Sequence, residues 1–197
     1  MKSRQLVASI AMAVMAALAG PAMAQSVSGQ VNVHGFVAPR CGVTFSGDST
    51  FSGTINLGEL AQANGTMLSG LAASSTSSPA GLASYLIGCS GATFNVTLSA
   101  TRLVNPLAVG LPPASAIIDY TTEIKIALSA GGFATIGYTT ALALPAPTTQ
   151  LVNSFVSPVP GNFEVRVYGL MPDNGISSVL IAGNYDSVIT VLVTPAA

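Results

Sequence analysis

The sequence has few charged residues, no tryptophan and a single histidine. Only 7% of its 197 residues are charged, and neither sign forms a run. Binding to nucleic acid or to an anionic membrane surface needs clustered cations, so both partners are disfavoured. Half of the residues are apolar, and Gly, Ser, Thr and Ala are abundant. This composition is typical of a β-rich exported protein.

The motifs of common catalytic sites are also missing. The chain has no HExxH, no P-loop and no GxGxxG followed by an acidic residue. Its carboxylates are dispersed, so spacing identifies no glycosidase-like pair. His34 is interpreted as a surface histidine, and the Ser-rich tract within residues 59–80 as a long surface connection, since neither has a catalytic partner. We therefore predict no enzymatic activity, no metal and no cofactor.

The first 24 residues are typical of a secretory signal peptide. Lys2 and Arg4 precede an apolar run at 6–18, and small residues lead to Ala24. A membrane anchor is the alternative, but that run is shorter than the ~20 residues of a membrane span. We predict cleavage between Ala24 and Gln25, export to the periplasm and then the cell surface, and no membrane span in the mature chain. Four basic residues then remain against seven acidic ones, a formal net charge of about −3.

Only two cysteines, Cys41 and Cys89, are present. An even count in an exported chain indicates a disulfide. A metal site with two cysteine ligands is the alternative, but the chain has no CxxC spacing and only one histidine to complete such a site.

Alternating apolar and polar residues divide the rest of the chain into seven or eight short strands separated by Gly- and Pro-rich turns. The predicted strands are 36–45, 50–57, 82–89, 93–99, 123–129, 133–140, 162–170 and 182–194. Residues 59–80, 105–113 and the proline-rich stretch 141–160 are predicted to be irregular. With no sustained helical period, the pattern predicts an all-β sandwich over residues 36–197.

Residues 25–35 follow the signal peptide and alternate with period two. Val27, Gly29, Val31 and Val33 lie on one face, with Ser, Gln and Asn on the other. No hairpin turn joins this segment to a following strand, so we predict that it pairs elsewhere, including with another molecule. The alternative is an ordinary first strand that pairs within its own domain.

Three stretches resemble the subunits of archaic chaperone–usher pili, the spore coat protein U domain family. VSGQVNVHGFVAPRCGVTF (27–45) is similar to the start of those subunits, where an alternating segment leads into the strand with the first cysteine. LIGCSGATFNVTLSA (86–100) is similar to their second-cysteine motif, and AGNYDSVITVLVT (182–194) to their closing motif. Ser187 stands where the closing motif usually has Asp. The three stretches occur in the family's order and span most of the mature chain.

This resemblance implies an incomplete immunoglobulin-like sandwich whose missing last strand leaves an apolar groove and an unpaired sheet edge. A periplasmic chaperone would fill the groove first, and at an outer-membrane usher the N-terminal segment of the next subunit would replace it. The donor residues would be Val27, Gly29, Val31 and Val33. The implied function is a structural subunit of a surface pilus that supports adhesion and biofilm formation. The alternative is a monomeric secreted adhesin or surface-coat protein that binds through its loops.

Overall fold

The computed structural model describes residues 30, 32–43, 50–71, 86–106, 114–141 and 146–196. The described residues contain nine strands and no helix, which confirms the prediction of an all-β fold. The strands are β1 (Cys41–Val43), β2 (Ile87–Cys89), β3 (Phe94–Ala100), β4 (Leu103–Val104), β5 (Ile117–Ala127), β6 (Phe133–Thr139), β7 (Thr148–Val152), β8 (Phe163–Pro172) and β9 (Ile189–Pro195). The chain divides between Phe36 and Val37, and all nine strands belong to the second unit.

Every strand pair is antiparallel, and the strands form two larger sheets and one small pair. In the first sheet β3 lies between β7 and β9. In the second sheet β5 is central. It pairs with β8 along most of its length, whereas β4 pairs with the first residues of β5 and β6 with the later ones. β1 and β2 form the small pair.

The core lies between the inner faces of the two larger sheets. In β3 the apolar residues of the alternating pattern, Phe94, Val96 and Leu98, are fully buried, and they cluster with Ile124 and Ile126 of β5. Burying each such side chain contributes about 1.5–3 kcal/mol. The architecture is therefore a β-sandwich. A second cluster extends the core and comprises Met67, Leu103, Ile118, Tyr120, Val167, Leu170 and Leu180.

Cys41 and Cys89 are directly opposite each other in the β1–β2 pair and form a disulfide. The prediction from the cysteine count is therefore confirmed. Both residues also pack against the core cluster that joins the two sheets, so the bond links β1 to β2 where the small pair contacts the core.

Replacing both cysteines by serine is expected to lower the free energy of unfolding by about 2–4 kcal/mol, because the disulfide restricts the unfolded chain across a long loop. Urea unfolding of the Cys41→Ser, Cys89→Ser variant and of the reduced wild type should give the same lowered midpoint. An unchanged midpoint in both would contradict a stabilising role.

Two predictions were wrong. One strand was missed in a proline-rich stretch, and another strand begins earlier than predicted because of a contact distant in sequence. The stretch 141–160 contains β7, which forms a ladder with β3. Two prolines precede this strand and two follow it. Proline is tolerated beside an edge strand, since only one edge of that strand needs donors. The predicted strand at 123–129 begins earlier, at Ile117, and its first residues pair with β4.

Two other predicted strands were wrong in a way that bears on function. Residues 50–57 alternate as a strand does, yet they form no strand. The predicted strand 182–194 is regular only from Ile189, because residues 182–183 form a bend and Asp186 makes only an isolated bridge with Val104. Both segments line the same groove, which is described next.

Candidate functional site

β9 is an edge strand. It pairs with β3 in a continuous register from Ile189↔Ala100 to Pro195↔Phe94, and no described strand pairs with its other edge. The side chains of Ile189, Val191 and Val193 point inward and contact the core, but all three are only half-buried. An unpaired edge with an incompletely covered apolar row is a site where another strand can add.

A groove with a volume of about 1070 Å³ lies beside β9. Residues 51–61 and 180–189 line it, together with Val191 of β9 and with Val165 and Val167 of β8. Among the described residues that line it, only Glu59 and Asp186 are charged, and both are acidic. The groove therefore suits an uncharged, extended chain with small apolar side chains.

Side-chain hydrogen bonds hold the bend before β9, whose residues line the groove. The Tyr185 hydroxyl is within hydrogen-bond distance of the carbonyl oxygens of Ser115 and Ile181, at 2.9 and 3.0 Å. The Asn105 side chain donates to the carbonyls of Ile181 and Ala182 at 3.1 and 3.2 Å. Gly183 has a φ of 145°, and a Cβ atom there would lie 2.6 Å from Nδ2 of Asn105, so only glycine allows this close approach.

Hydrogen bonds to Thr101, which directly follows β3, also fix the start of β9. The backbone amide of Val188 donates to the Thr101 hydroxyl at 2.9 Å, and the Ser187 hydroxyl donates to the Thr101 carbonyl at 2.7 Å. Ser187 also shares a hydrogen bond with the hydroxyl of Tyr120, which is buried and lines the groove. These contacts hold β9 in place while its outer edge stays unpaired among the described residues.

Burial raises the pKa of Tyr120 above its ordinary value near 10, and the hydrogen bond to Ser187 opposes that shift with a smaller effect. Burial also raises the pKa of Tyr185. The folded state therefore holds these phenolic protons more tightly than the unfolded chain does. The contribution of these two pKa shifts to the free energy of unfolding is fully present below about pH 10, and it is lost as the pH rises through the folded-state pKa values.

The Tyr120→Phe variant is expected to lose stability less steeply above about pH 10 than the wild type, because phenylalanine cannot ionise. Urea unfolding midpoints of both proteins, measured from about pH 8 to about pH 11, would reveal the difference. Equal alkaline slopes would contradict it. At neutral pH the variant should be about 1 kcal/mol less stable, since it lacks the hydrogen bond to Ser187.

The structure describes only part of the predicted donor segment. Val27, Gly29 and Val31 lie outside the described residues, as do Ala24 and Gln25 at the predicted cleavage site. Val33 is described; it is 89% exposed and belongs to no strand. His34 is also exposed, as expected for a surface histidine. The donor assignment thus stays a prediction.

Residue patterns did not identify the wall of the groove. The resemblance implied that a groove exists, but the wall residues Phe51, Ile55 and Leu57 were predicted to belong to an ordinary strand. Their alternation was the available signal. The signal was incomplete because it shows which side chains turn inward and not whether the backbone has a partner.

Within the described ranges, no three His, Cys, Asp or Glu residues are grouped closely enough to hold a metal ion. The same ranges contain no helix that is long and apolar enough to cross a membrane. Comparison of the chain with protein-family models, with curated proteins and with solved structures gives no match.

Proposed function

We propose that this protein is a structural subunit of a surface pilus and that it polymerises by donor-strand exchange. The open edge of β9 carries the proposal, since its half-buried apolar row faces a groove whose described lining contains no cation and only two acidic residues. The strand that would complete the incomplete immunoglobulin-like fold is residues 27–33 of the next subunit. A periplasmic chaperone would cover the groove before assembly, and an outer-membrane usher would exchange the chaperone for the donor.

The donor segment matches the groove in length and chemistry. Residues 27–33 and β9 both have seven residues, and the donor sequence VSGQVNV carries no charge. Burying Val27, Val31 and Val33 would contribute about 5–9 kcal/mol before the cost of ordering the segment. A shift of one residue would put Ser28, Gln30 and Asn32 in the groove, so the register is well specified.

Strand addition also supplies backbone hydrogen bonds along the whole outer edge of β9. An antiparallel or parallel partner would pair with its N–H and C=O groups, and the half-buried side chains of Ile189, Val191 and Val193 would lose their remaining exposure. One contact therefore satisfies the backbone and completes the apolar core. This combination accounts for assembly without any catalytic residue.

Electrophoresis in SDS tests the proposal directly. The secreted protein is expected to run as a ladder of regularly spaced bands without heating and as a monomer after boiling, because the inserted strand is released only when the subunit unfolds. A monomer before heating would contradict the polymer and favour the monomeric alternative.

That alternative, a secreted adhesin or surface-coat protein that binds through its loops, has one observation in its favour. Phe133, Phe155 and Val159 are 67%, 50% and 62% exposed. The amide of Ser129 donates to the carbonyl of Phe155 at 2.9 Å, so the β5–β6 turn and residues 155–159 lie at the same end of the sandwich. An exposed apolar group at a loop end can contact a ligand, but it does not explain the open edge of β9.

A further inference from the structure

Four charged residues of the second sheet lie together on its outer face. Glu123 and Lys125 belong to β5, and Glu164 and Arg166 belong to β8. In both strands they alternate with buried core residues, so their side chains point away from the core. The strands of the first sheet, β3, β7 and β9, contain no charged residue. These four residues define the charged face of the sandwich.

Positive and negative charges alternate in both directions on the charged face. Across the β5–β8 ladder, Glu123 is directly opposite Arg166, and Lys125 is directly opposite Glu164. Along β5, Nζ of Lys125 is 3.6 Å from Oε1 of Glu123, and along β8, Nε of Arg166 is 2.7 Å from Oε1 of Glu164. Between 21% and 32% of each side chain is exposed, so each can also reach a group above the sheet.

This alternation makes the charged face complementary to a second copy of itself. A two-fold axis that crosses β5 between Glu123 and Lys125 would bring two charged faces together with their strands antiparallel. Glu123 of each copy would then meet Lys125 of the other, as a two-fold contact requires. Arg166 of each copy would likewise meet Glu164 of the other. Every new contact would join opposite charges.

The neighbouring strand β6 fits the same axis. Its outward residues Thr135 and Gly137 are opposite Lys125 and Glu123, so Thr135 of one copy would lie above Gly137 of the other. The fold itself does not require this glycine, because its φ is not positive and an added Cβ atom would lie 3.9 Å from the Thr122 carbonyl oxygen. Glycine inside a strand often marks a place where another chain approaches closely.

Phe133, which is 67% exposed at the start of β6, would be covered in the same arrangement. It is opposite Ala127 of β5, and the axis would bring it above Thr121 and Thr139 of the second copy. An axis along the strands would also join opposite charges, but β6 of each copy would then lie beyond β8, the edge of the other described sheet. The exposed aromatic ring therefore favours the axis that crosses the strands.

We propose that the charged face binds the charged face of a second copy in a two-fold contact whose axis crosses β5 between Glu123 and Lys125. None of its four residues is among those that line the groove beside β9, so one subunit can use both surfaces. In a pilus of the kind proposed above, the contact would join filaments side by side. Only that consequence rests on the proposed function. Many weak contacts in parallel would hold such filaments together.

Sedimentation of a subunit that cannot donate a strand tests the contact by itself. The protein is the mature chain, residues 25–197, with Val31→Asp. It is expected to form dimers reversibly as its concentration rises. Added salt should weaken the dimer, because it screens exposed charges. A chain that stays monomeric at its highest soluble concentration would overturn the proposal.

Charge reversal in this subunit tests the position of the axis. Glu123→Lys should raise the dissociation constant of the dimer about tenfold, because each of two equivalent contacts becomes a repulsion. Lys125→Glu should have the same effect for the same reason. Mixed together, the two variants should form a one-to-one dimer with the parent affinity, since two lysines of one then meet two glutamates of the other. Thr149→Lys adds a cation to the outer face of the first sheet and should dimerise like the parent.

The mixture of the two variants separates the possible contacts. With an axis along the strands, the introduced lysine would face Arg166 and the introduced glutamate would face Glu164, so mixing would not restore the dimer. No recovery in the mixture, with both variants folded by circular dichroism, would overturn the proposed contact. Unchanged dimerisation of either single variant would also overturn it. Because every protein compared carries Val31→Asp, these results do not depend on donor-strand exchange, and the absence of an SDS ladder would leave the contact standing.

Discussion

Replacing Val31 by aspartate is expected to abolish polymers while the subunit is still exported and still binds a chaperone. Val31 is the central apolar residue of the proposed donor, flanked by Gly29 and Val33. The change removes about 1.5–3 kcal/mol of apolar burial and adds the cost of placing a carboxylate in an apolar groove. A total loss of about 4 kcal/mol would weaken each subunit contact roughly thousandfold.

The matched control for this variant is Asn32→Asp. It adds the same charge at the neighbouring position, which belongs to the polar face of the segment. Polymers of this variant should form nearly as well as those of the wild type. The two variants can be compared by unheated SDS electrophoresis of the surface fraction, with the boiled monomer as the measure of export. Normal ladders from the Val31→Asp variant would contradict the donor assignment.

The corresponding change on the acceptor side is Val191→Asp. Val191 is half-buried, lines the groove and packs against the core from the open edge of β9. A carboxylate there would oppose entry of an apolar donor at a cost of several kcal/mol, so we expect no polymers from this variant alone. Because Val191 also contacts the core of its own subunit, the monomer should be less stable, and circular dichroism should establish that it is folded.

Leu192→Asp is the matched control on β9. Leu192 is 55% exposed on the outer face of the sheet, one residue from Val191. The added carboxylate would stay in solvent, so polymers should form as in the wild type. If Val191→Asp and Leu192→Asp gave the same ladder, the inner face of β9 would not be the acceptor.

The sequence predicted side-chain direction better than it predicted pairing. In β3, period-two alternation correctly identified Phe94, Val96 and Leu98 as core residues, because the rule depends only on strand geometry. The even cysteine count likewise predicted the disulfide. In both cases the information is local or compositional, and long-range contacts do not change it.

The errors arose where a contact distant in sequence decides the local structure. The turn before β9 depends on the approach of Asn105 to Gly183 and on the bond between Tyr185 and Ser115, so alternation over 182–194 could not reveal it. Alternation over 50–57 predicted a strand, but a strand also needs a partner for its backbone. Which edge of the sandwich stays open depends on all the pairings together, and so the groove could not be predicted from residue patterns.

The most direct test mixes the two defective subunits. The Val31→Asp subunit has an intact groove and a defective donor, whereas the Val191→Asp subunit has an intact donor and a defective groove. Refolded alone, each should remain monomeric. Refolded together, they should form a one-to-one dimer that resists SDS without heating and grows no further, since neither free end can continue the chain. Monomers alone in the mixture, or polymers from either variant by itself, would contradict donor-strand exchange through the β9 groove.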